Sequence, residues 1–155
     1  MERGRVTGER GVSPVFGYVL TLGISTLLVS GLLIAASGFV DTQREQTTES
    51  ELQVIGQQVS ADVAAADRLH RTDGATDVVI ERDLPDSVVG SQYTVFVRSD
   101  DDGPTDTYLR LRTVRPEVTV EVGIASETNV VDSAAGGGEI DIRVTDAGNL
   151  EVTNG

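Results

Sequence analysis

The stretch Val12–Val40, VSPVFGYVLTLGISTLLVSGLLIAASGFV, contains 29 residues without one charged side chain, and it decides how the rest of the chain can fold. A bilayer core of about 30 Å needs about 20 helical residues, so this apolar segment is long enough to cross a membrane. Ser13 can cap a helix N-terminus, and Pro14 suits the first helical position because the N–H group it lacks would be unpaired there anyway. We therefore predict a membrane-spanning helix that begins near Ser13.

Basic residues flank the apolar segment unevenly. Arg3, Arg5 and Arg10 precede it, whereas Arg44 is the one basic residue that closely follows it. The positive-inside rule counts such residues within about 15 to 20 positions of a span, and it keeps the more basic flank in the cytoplasm. We expect a single-pass cell-membrane protein with a cytoplasmic N-terminus and an extracellular remainder after Val40.

The sequence allows three fates for this segment during export. It could remain as an uncut anchor, be removed behind the small residues of Ala35–Gly38, or be trimmed in front and retained. Secretory signals have an apolar core of about 7 to 15 residues. The apolar segment is longer than that, so removal behind it is disfavoured.

The residues 10–24, RGVSPVFGYVLTLGI, resemble the start of archaeal type IV pilins and pilin-like proteins, above all haloarchaeal ones. In that family a prepilin peptidase cuts ahead of the apolar helix and leaves the helix in place for anchoring and polymerisation. The resemblance covers about residues 9–40 and implies a cut between Gly11 and Val12. The matching positions are Arg10 and Gly11 at the end of the leader, Val12 after the cut, and Ser13, Pro14 and Gly17 in the helix.

This resemblance implies a pilin-like structural subunit of a surface filament or an adhesive structure. Its partners would be the membrane, a prepilin peptidase, an assembly ATPase, a membrane platform protein, and other pilin subunits or further copies of itself. Bacterial pilins have a glutamate at the fifth position after the cut. The corresponding residue here is Phe16, and archaeal relatives generally lack this glutamate too. The alternative is a monomeric, membrane-anchored surface protein whose head binds a ligand or partner. A processed leader is compatible with both.

Small residues recur along the apolar segment at Gly17, Thr21, Ser25, Gly31 and Ala35. Their spacing places them on one stripe of a helix, where neighbouring membrane helices can approach closely. An equally weighted alternative is that Gly, Ser and Thr are simply common in membrane helices.

The composition excludes several classes of function. The chain carries 25 acidic and 12 basic residues, a net charge of -13, and every basic residue is Arg. Such a surface repels nucleic acid and anionic lipid head groups. It suits a salt-rich environment, since at about 1 M salt the Debye length falls to about 3 Å. With no Cys and one His, we expect no disulfide, no metal site, no cofactor and no enzymatic activity.

Beyond the membrane, the pattern predicts a helix that continues and then a β-rich head. Asp41–Ser50 is polar all round, and an apolar stripe at helical spacing follows it before a helix end near Arg71 or Gly74. The domains are thus a leader at 1–11, an apolar helix at 12–40, an amphipathic continuation at 41–71 and a head at 72–155. The stripe consists of Leu52, Ile55, Val59, Val63, Ala66 and Leu69.

From Asp77 onward the apolar period changes to two, which predicts antiparallel strands with one wet face. The alternating residues include Tyr93, Val95 and Val97; Leu109 and Leu111; Val118, Val120, Val122 and Ile124; and Ile140, Ile142 and Val144. The stretches VVIE and NLEVT predict short outer strands, whereas SDDDGPTD and SAAGGGE predict turns. The expected fold is α+β, with a long N-terminal helix packed on a small antiparallel β-sheet head.

Four features of the head allow a functional and a structural interpretation. Asp100–Asp102 with Asp106 suggest a calcium site, but a solvated loop is favoured because consecutive aspartates diverge. Gly136–Gly138 is interpreted as a flexible hairpin connection, and His70 as a helix-end residue. The arginines 98, 110, 112 and 115 could pair with a neighbouring subunit, although intramolecular pairs or solvated charges are favoured.

Overall fold

The computed structural model describes residues 12–73, 77–99 and 107–155. Helix α1 extends over Val12–Asp73, so the predicted single helix from the apolar segment to about residue 71 is confirmed. The chain divides into two compact units, Met1–Thr42 and Gln43–Gly155, and we call the second the C-terminal unit. Arg10 and Gly11 lie outside the described residues, as does the acidic stretch that suggested calcium.

Seven strands follow the helix in the C-terminal unit, and the α+β fold class is confirmed. They form two antiparallel sheets, with orders β1-β6-β7 and β4-β3-β2-β5, in place of the one small sheet expected. The sheets meet where Val131 N–H donates to Leu150 O at 2.8 Å and Leu150 N–H donates to Asn129 O at 2.9 Å. The strands are β1 Val79–Asp83, β2 Tyr93–Ser99, β3 Thr107–Thr113, β4 Thr119–Gly123, β5 Ser133–Gly136, β6 Glu139–Val144 and β7 Leu150–Asn154.

The prediction of a turn over the whole of SAAGGGE is wrong, because its first four residues form β5. This strand pairs with β2, and its Ala135 is buried opposite Val95. The expected hairpin connection at Gly136–Gly138 is also wrong, since β5 pairs with β2 and β6 pairs with β1 and β7. A Cβ on Gly137 would lie 2.6 Å from Pro85 O, and Gly138 has a φ of 101° that favours glycine. The glycines therefore let two backbone segments approach.

The apolar stripe of α1 forms the centre of the core. Leu52, Val59, Val63 and Ala66 are fully buried and Ile55 is 4% exposed, whereas Leu69 is 48% exposed and does not belong to the core. At about 100° per residue, Leu69 falls about 80° from the middle of the stripe. By the same rule Thr48 lies on the stripe, and it is fully buried. The polar stretch Asp41–Ser50, which contains Thr48, is therefore not exposed to solvent on every side.

The two sheets cover opposite flanks of α1. On one flank, a Cβ on Gly56 would lie 2.7 Å from Val122 Cγ2 of β4, and Ser60 Oγ donates to Gly123 O at 2.8 Å. On the other flank, Asp62 binds Arg82 of β1. Because Ser60 and Asp62 are two residues apart, they point about 160° away from each other around the helix. The helix thus closes the dry faces of both sheets.

Candidate functional site: an exposed apolar helix surface

The apolar segment exposes its large side chains throughout the described part of the first unit. Their exposed fractions run from 46% at Val40 to 74% at Ile34. An 18-residue window of this helix has a mean hydropathy of 2.2, and none of it is buried. Among the described residues, α1 is the one helix long and apolar enough to cross a membrane, which makes it a candidate membrane span.

Three hydroxyl groups of this segment bond to the helix itself. Thr21 Oγ1 donates to Gly17 O at 2.8 Å, and Thr26 Oγ1 donates to Leu22 O at 2.9 Å. Ser37 Oγ donates to Ile34 O at 2.8 Å. A hydroxyl moved from water into an apolar medium is costly unless it keeps a hydrogen bond. These bonds are local, so the surface can enter lipid or a helix bundle without leaving these groups unpaired.

The predicted helix-packing residues all lie in α1 and share one face. At about 100° per residue, Gly17, Thr21, Ser25, Gly31 and Ala35 fall within an arc of about 120°. A Cβ on Gly17 or Gly31 would meet nothing within 4 Å, so no described group of the chain requires glycine there. Large side chains share the same arc, so the stripe is interrupted. Its packing role stays a prediction.

The predicted processing residues Val12, Ser13 and Pro14 form the start of α1, which begins at Val12. Ser13 and Pro14 both lie inside α1, so their predicted roles as cap and first helical residue are not confirmed.

The C-terminal unit holds its part of α1 through charged contacts that the sequence analysis did not identify. Arg82 donates to both carboxylate oxygens of Asp62, with Nε–Oδ2 at 2.6 Å and Nη2–Oδ1 at 2.5 Å. Asp62 is 9% exposed, and its hydrogen bonds and charge raise the pKa of Arg82 above its ordinary value. The bidentate geometry fixes the helix against the first strand of the three-stranded sheet.

Asp67 binds the segment between β4 and β5. Its carboxylate accepts from the backbone N–H of Thr128 at 2.9 Å and of Glu127 at 3.4 Å, and Arg71 lies 3.6 Å away. Burial by itself favours the protonated form of Asp67. The hydrogen bonds from Thr128 and Glu127 and the charge of Arg71 together outweigh that effect and lower the pKa of Asp67 below its ordinary 3.8.

Tyr93 is the buried aromatic residue at the start of β2. Its hydroxyl donates to Pro85 O at 2.8 Å, and its side chain packs beside Gly137. Burial, with a smaller contribution from the charge of Asp86, raises the pKa of Tyr93 to about 12. The phenol therefore stays neutral at physiological pH and holds the loop after β1.

The arginine residues on the four-stranded sheet pair within the chain. Arg98 lies 3.4 Å from Asp132, Arg110 Nε lies 2.9 Å from Glu121, and Arg112 Nη2 lies 2.7 Å from Glu117. The favoured intramolecular interpretation is thus confirmed for these three. Arg115 is exposed and makes no ion pair within the described ranges.

His70 lies in the last turn of α1, as expected for a helix-end residue. Within residues 12–73, 77–99 and 107–155, no group of three or more His, Asp or Glu side chains is arranged to hold a metal ion.

Comparison with known proteins places the chain in a family. Residues 7–154 match a family of unknown function, DUF7266. The chain belongs to this family. No curated protein and no solved structure matches it. The matched range therefore includes both the apolar segment and the C-terminal unit.

Proposed function

We propose that this protein is a pilin-like structural subunit, cut by a prepilin peptidase between Gly11 and Val12. The observation that carries the proposal is the division of α1. Its first part exposes an apolar surface with internally bonded hydroxyls, and its later part is buried between two sheets. A subunit built this way has a folded head and a helix free to pack against other helices.

The mechanism is packing, with no chemical step. In the membrane, lipid tails surround the apolar segment, and its N-terminal side is cytoplasmic while the C-terminal unit is extracellular. On assembly, the same surface contacts the helices of other subunits. Because lipid is as apolar as the side chains, close van der Waals packing between helices drives the association. A prepilin peptidase, an assembly ATPase and a platform protein are the partners this function requires.

A second candidate is a single-pass surface protein that binds a ligand and does not polymerise. The observation that favours it is a cavity of about 330 Å³ beside β2 and β3. Asp86, Gln92, Thr94 and Arg112 supply an acid, an amide, a hydroxyl and a guanidinium to its lining. Ligand sites in proteins are commonly of about this volume and carry a few such polar groups.

The proposal is tested by the N-terminus of the mature protein. Intact-mass measurement and N-terminal sequencing of the membrane-extracted chain should give a start at Val12. A start at Met1 would indicate an uncut anchor, and a start near Gly38 or Phe39 would indicate a secreted domain. Either result contradicts the proposal.

A matched pair of leader variants makes this test specific. We expect Gly11→Val to retain the leader, whereas Gly8→Val, in the same leader, should still be cut. Filaments sheared from the cell surface then separate the two candidates, since a polymerising subunit enters that fraction and a monomeric surface protein stays with the membrane.

A further inference from the structure

The C-terminal unit has two exposed apolar features, and beside each lies a charge that forms no ion pair with a described residue. One is the tip, which we define as Val114 and Arg115 in the turn between β3 and β4. Val114 is 72% exposed, the highest fraction among the large apolar side chains described in this unit. Arg115 beside it is exposed and makes no ion pair with any described residue.

The other feature is a groove of about 500 Å³ between α1 and Pro85, which lies in the loop after β1. Val54, Ile55 and Pro85 give it apolar walls, and Glu51 lies at its edge. Val54 is 55% exposed although it belongs to the part of α1 that packs in the C-terminal unit. Glu51 is exposed and has no cationic partner within the described ranges.

The tip and the groove are complementary in chemistry. The tip presents an apolar side chain with a cation, and the groove presents an apolar floor with an anion. We propose that the tip of one copy docks in the groove of a second copy, with Val114 against Val54 and Arg115 paired to Glu51. An apolar contact next to an opposite-charge pair gives both affinity and a defined register.

The two features lie on opposite flanks of α1. The tip belongs to β3 and β4, which cover the flank of Gly56 and Ser60. The groove lies on the flank of Asp62, since Glu51 precedes Asp62 by eleven residues and therefore points within about 20° of it. A contact from one flank of a copy to the opposite flank of the next is heterologous, so it repeats from copy to copy.

The two features also lie at the same level along the helix axis. Gly56 faces both Leu111 and Val122, and Ser60 bonds to Gly123, so β4 runs in the helix direction and β3 runs against it. Val114 lies about 10 Å beyond Leu111 toward the helix N-terminus. Glu51 lies about 7.5 Å from Gly56 in the same direction. Copies side by side with parallel helices can therefore form the contact without a large axial shift.

One tip in one groove is a small contact, so it needs copies that are already held together. Tethering raises the effective concentration of a weak partner, and copies in one membrane or one filament are tethered by their apolar segments. The inference thus rests on the proposed function for the side-by-side arrangement. It also holds if the copies are anchored neighbours that never polymerise.

Disulfide cross-linking in membranes tests the contact, because the chain contains no Cys. Differently tagged full-length Glu51→Cys and Arg115→Cys variants are co-expressed, oxidised and separated on a non-reducing gel. We expect several-fold more mixed dimer than for the control pair Arg68→Cys with Arg115→Cys, since Arg68 is exposed on α1 away from the groove. Cross-linking no greater than in the control pair overturns the proposal.

The double variant Glu51→Cys/Arg115→Cys tests whether the contact repeats. A ladder of trimers and larger species is expected, whereas dimers alone, or Arg115→Cys cross-linked mainly to itself, would contradict a heterologous contact. The mature N-terminus of the same samples is read in parallel. A chain that starts at Val12 and fails to cross-link removes this contact alone, and an uncut chain that cross-links removes the proposed function alone.

Discussion

The two parts of helix α1 use the same kinds of residue for different purposes. In the apolar segment, Gly31 has open space around it and Leu28 is 69% exposed. In the C-terminal unit, Gly56 has no room for a Cβ and Leu52 is fully buried. One helix therefore stabilises its own fold with its second part and leaves the first part available for lipid or other helices. The fold of the C-terminal unit should depend on the second part only.

The largest expected effect comes from truncating one leucine in each part. Leu52→Ala should lower the free energy of unfolding of the C-terminal unit by about 2–5 kcal/mol, because it removes buried methyl groups and leaves a cavity. Leu28→Ala, at an exposed position, should leave this free energy unchanged. Denaturant unfolding of the full-length chain in mild detergent measures both variants.

Equal losses for the two leucines would break the comparison, since they would mean that the apolar segment belongs to the same cooperative core. A loss for Leu52→Ala alone would sharpen it. Retention of Leu28→Ala in the membrane fraction provides the control that this variant is still inserted.

An effect of intermediate size is expected from acid. The folded-state pKa of Asp67 lies below its ordinary 3.8, so its contribution to stability is fully present above that value. This contribution is lost as the pH falls through the folded pKa. We expect the C-terminal unit to lose stability below about pH 4, measured by thermal unfolding in detergent as the pH is lowered.

Asp67→Asn is the matched variant for the acid experiment. It should cost about 1.5 kcal/mol at neutral pH, because the hydrogen bonds to the charged carboxylate are weakened. It should also reduce the loss of stability at low pH, since the group that titrates is gone. If the stability of the variant fell at low pH as steeply as that of the original chain, the pH dependence would belong to other carboxylates.

The sequence predicts elements that have a strong and unbroken pattern. The uncharged run and the stripe from Leu52 to Ala66 specify α1, and the alternation in β2, β3, β4 and β6 specifies most of both sheets. The strand β5 was missed because Ser133–Gly136 is made of small residues. Such residues carry no apolar alternation, and the pairing with β2 supplies what holds them in a strand. Local sequence does not contain that information.

The contact residues were harder to predict than the elements. Asp62 and Asp67 flank the apolar stripe, and charged residues at that boundary are usually solvated. Their partners Arg82 and Thr128 are 20 and 61 residues away in the chain, so only the fold brings them together. A signal was present for Leu69, since its angle around the helix already places it off the stripe.

The smallest expected effect compares two threonines of α1. Thr48 is fully buried, and its hydroxyl has no hydrogen-bond partner among the described residues, whereas the hydroxyl of Thr21 donates to Gly17 O. Thr48→Val replaces a buried, unpaired hydroxyl with a methyl group of similar size. It should therefore raise the free energy of unfolding of the C-terminal unit by about 1 kcal/mol. Thr21→Val should leave that value unchanged, because Thr21 belongs to the exposed part of the helix. Chemical unfolding of both variants beside the original chain measures the difference. A loss of stability in Thr48→Val would show that this hydroxyl is paired in solution and that the stripe admits a polar contact at its first turn.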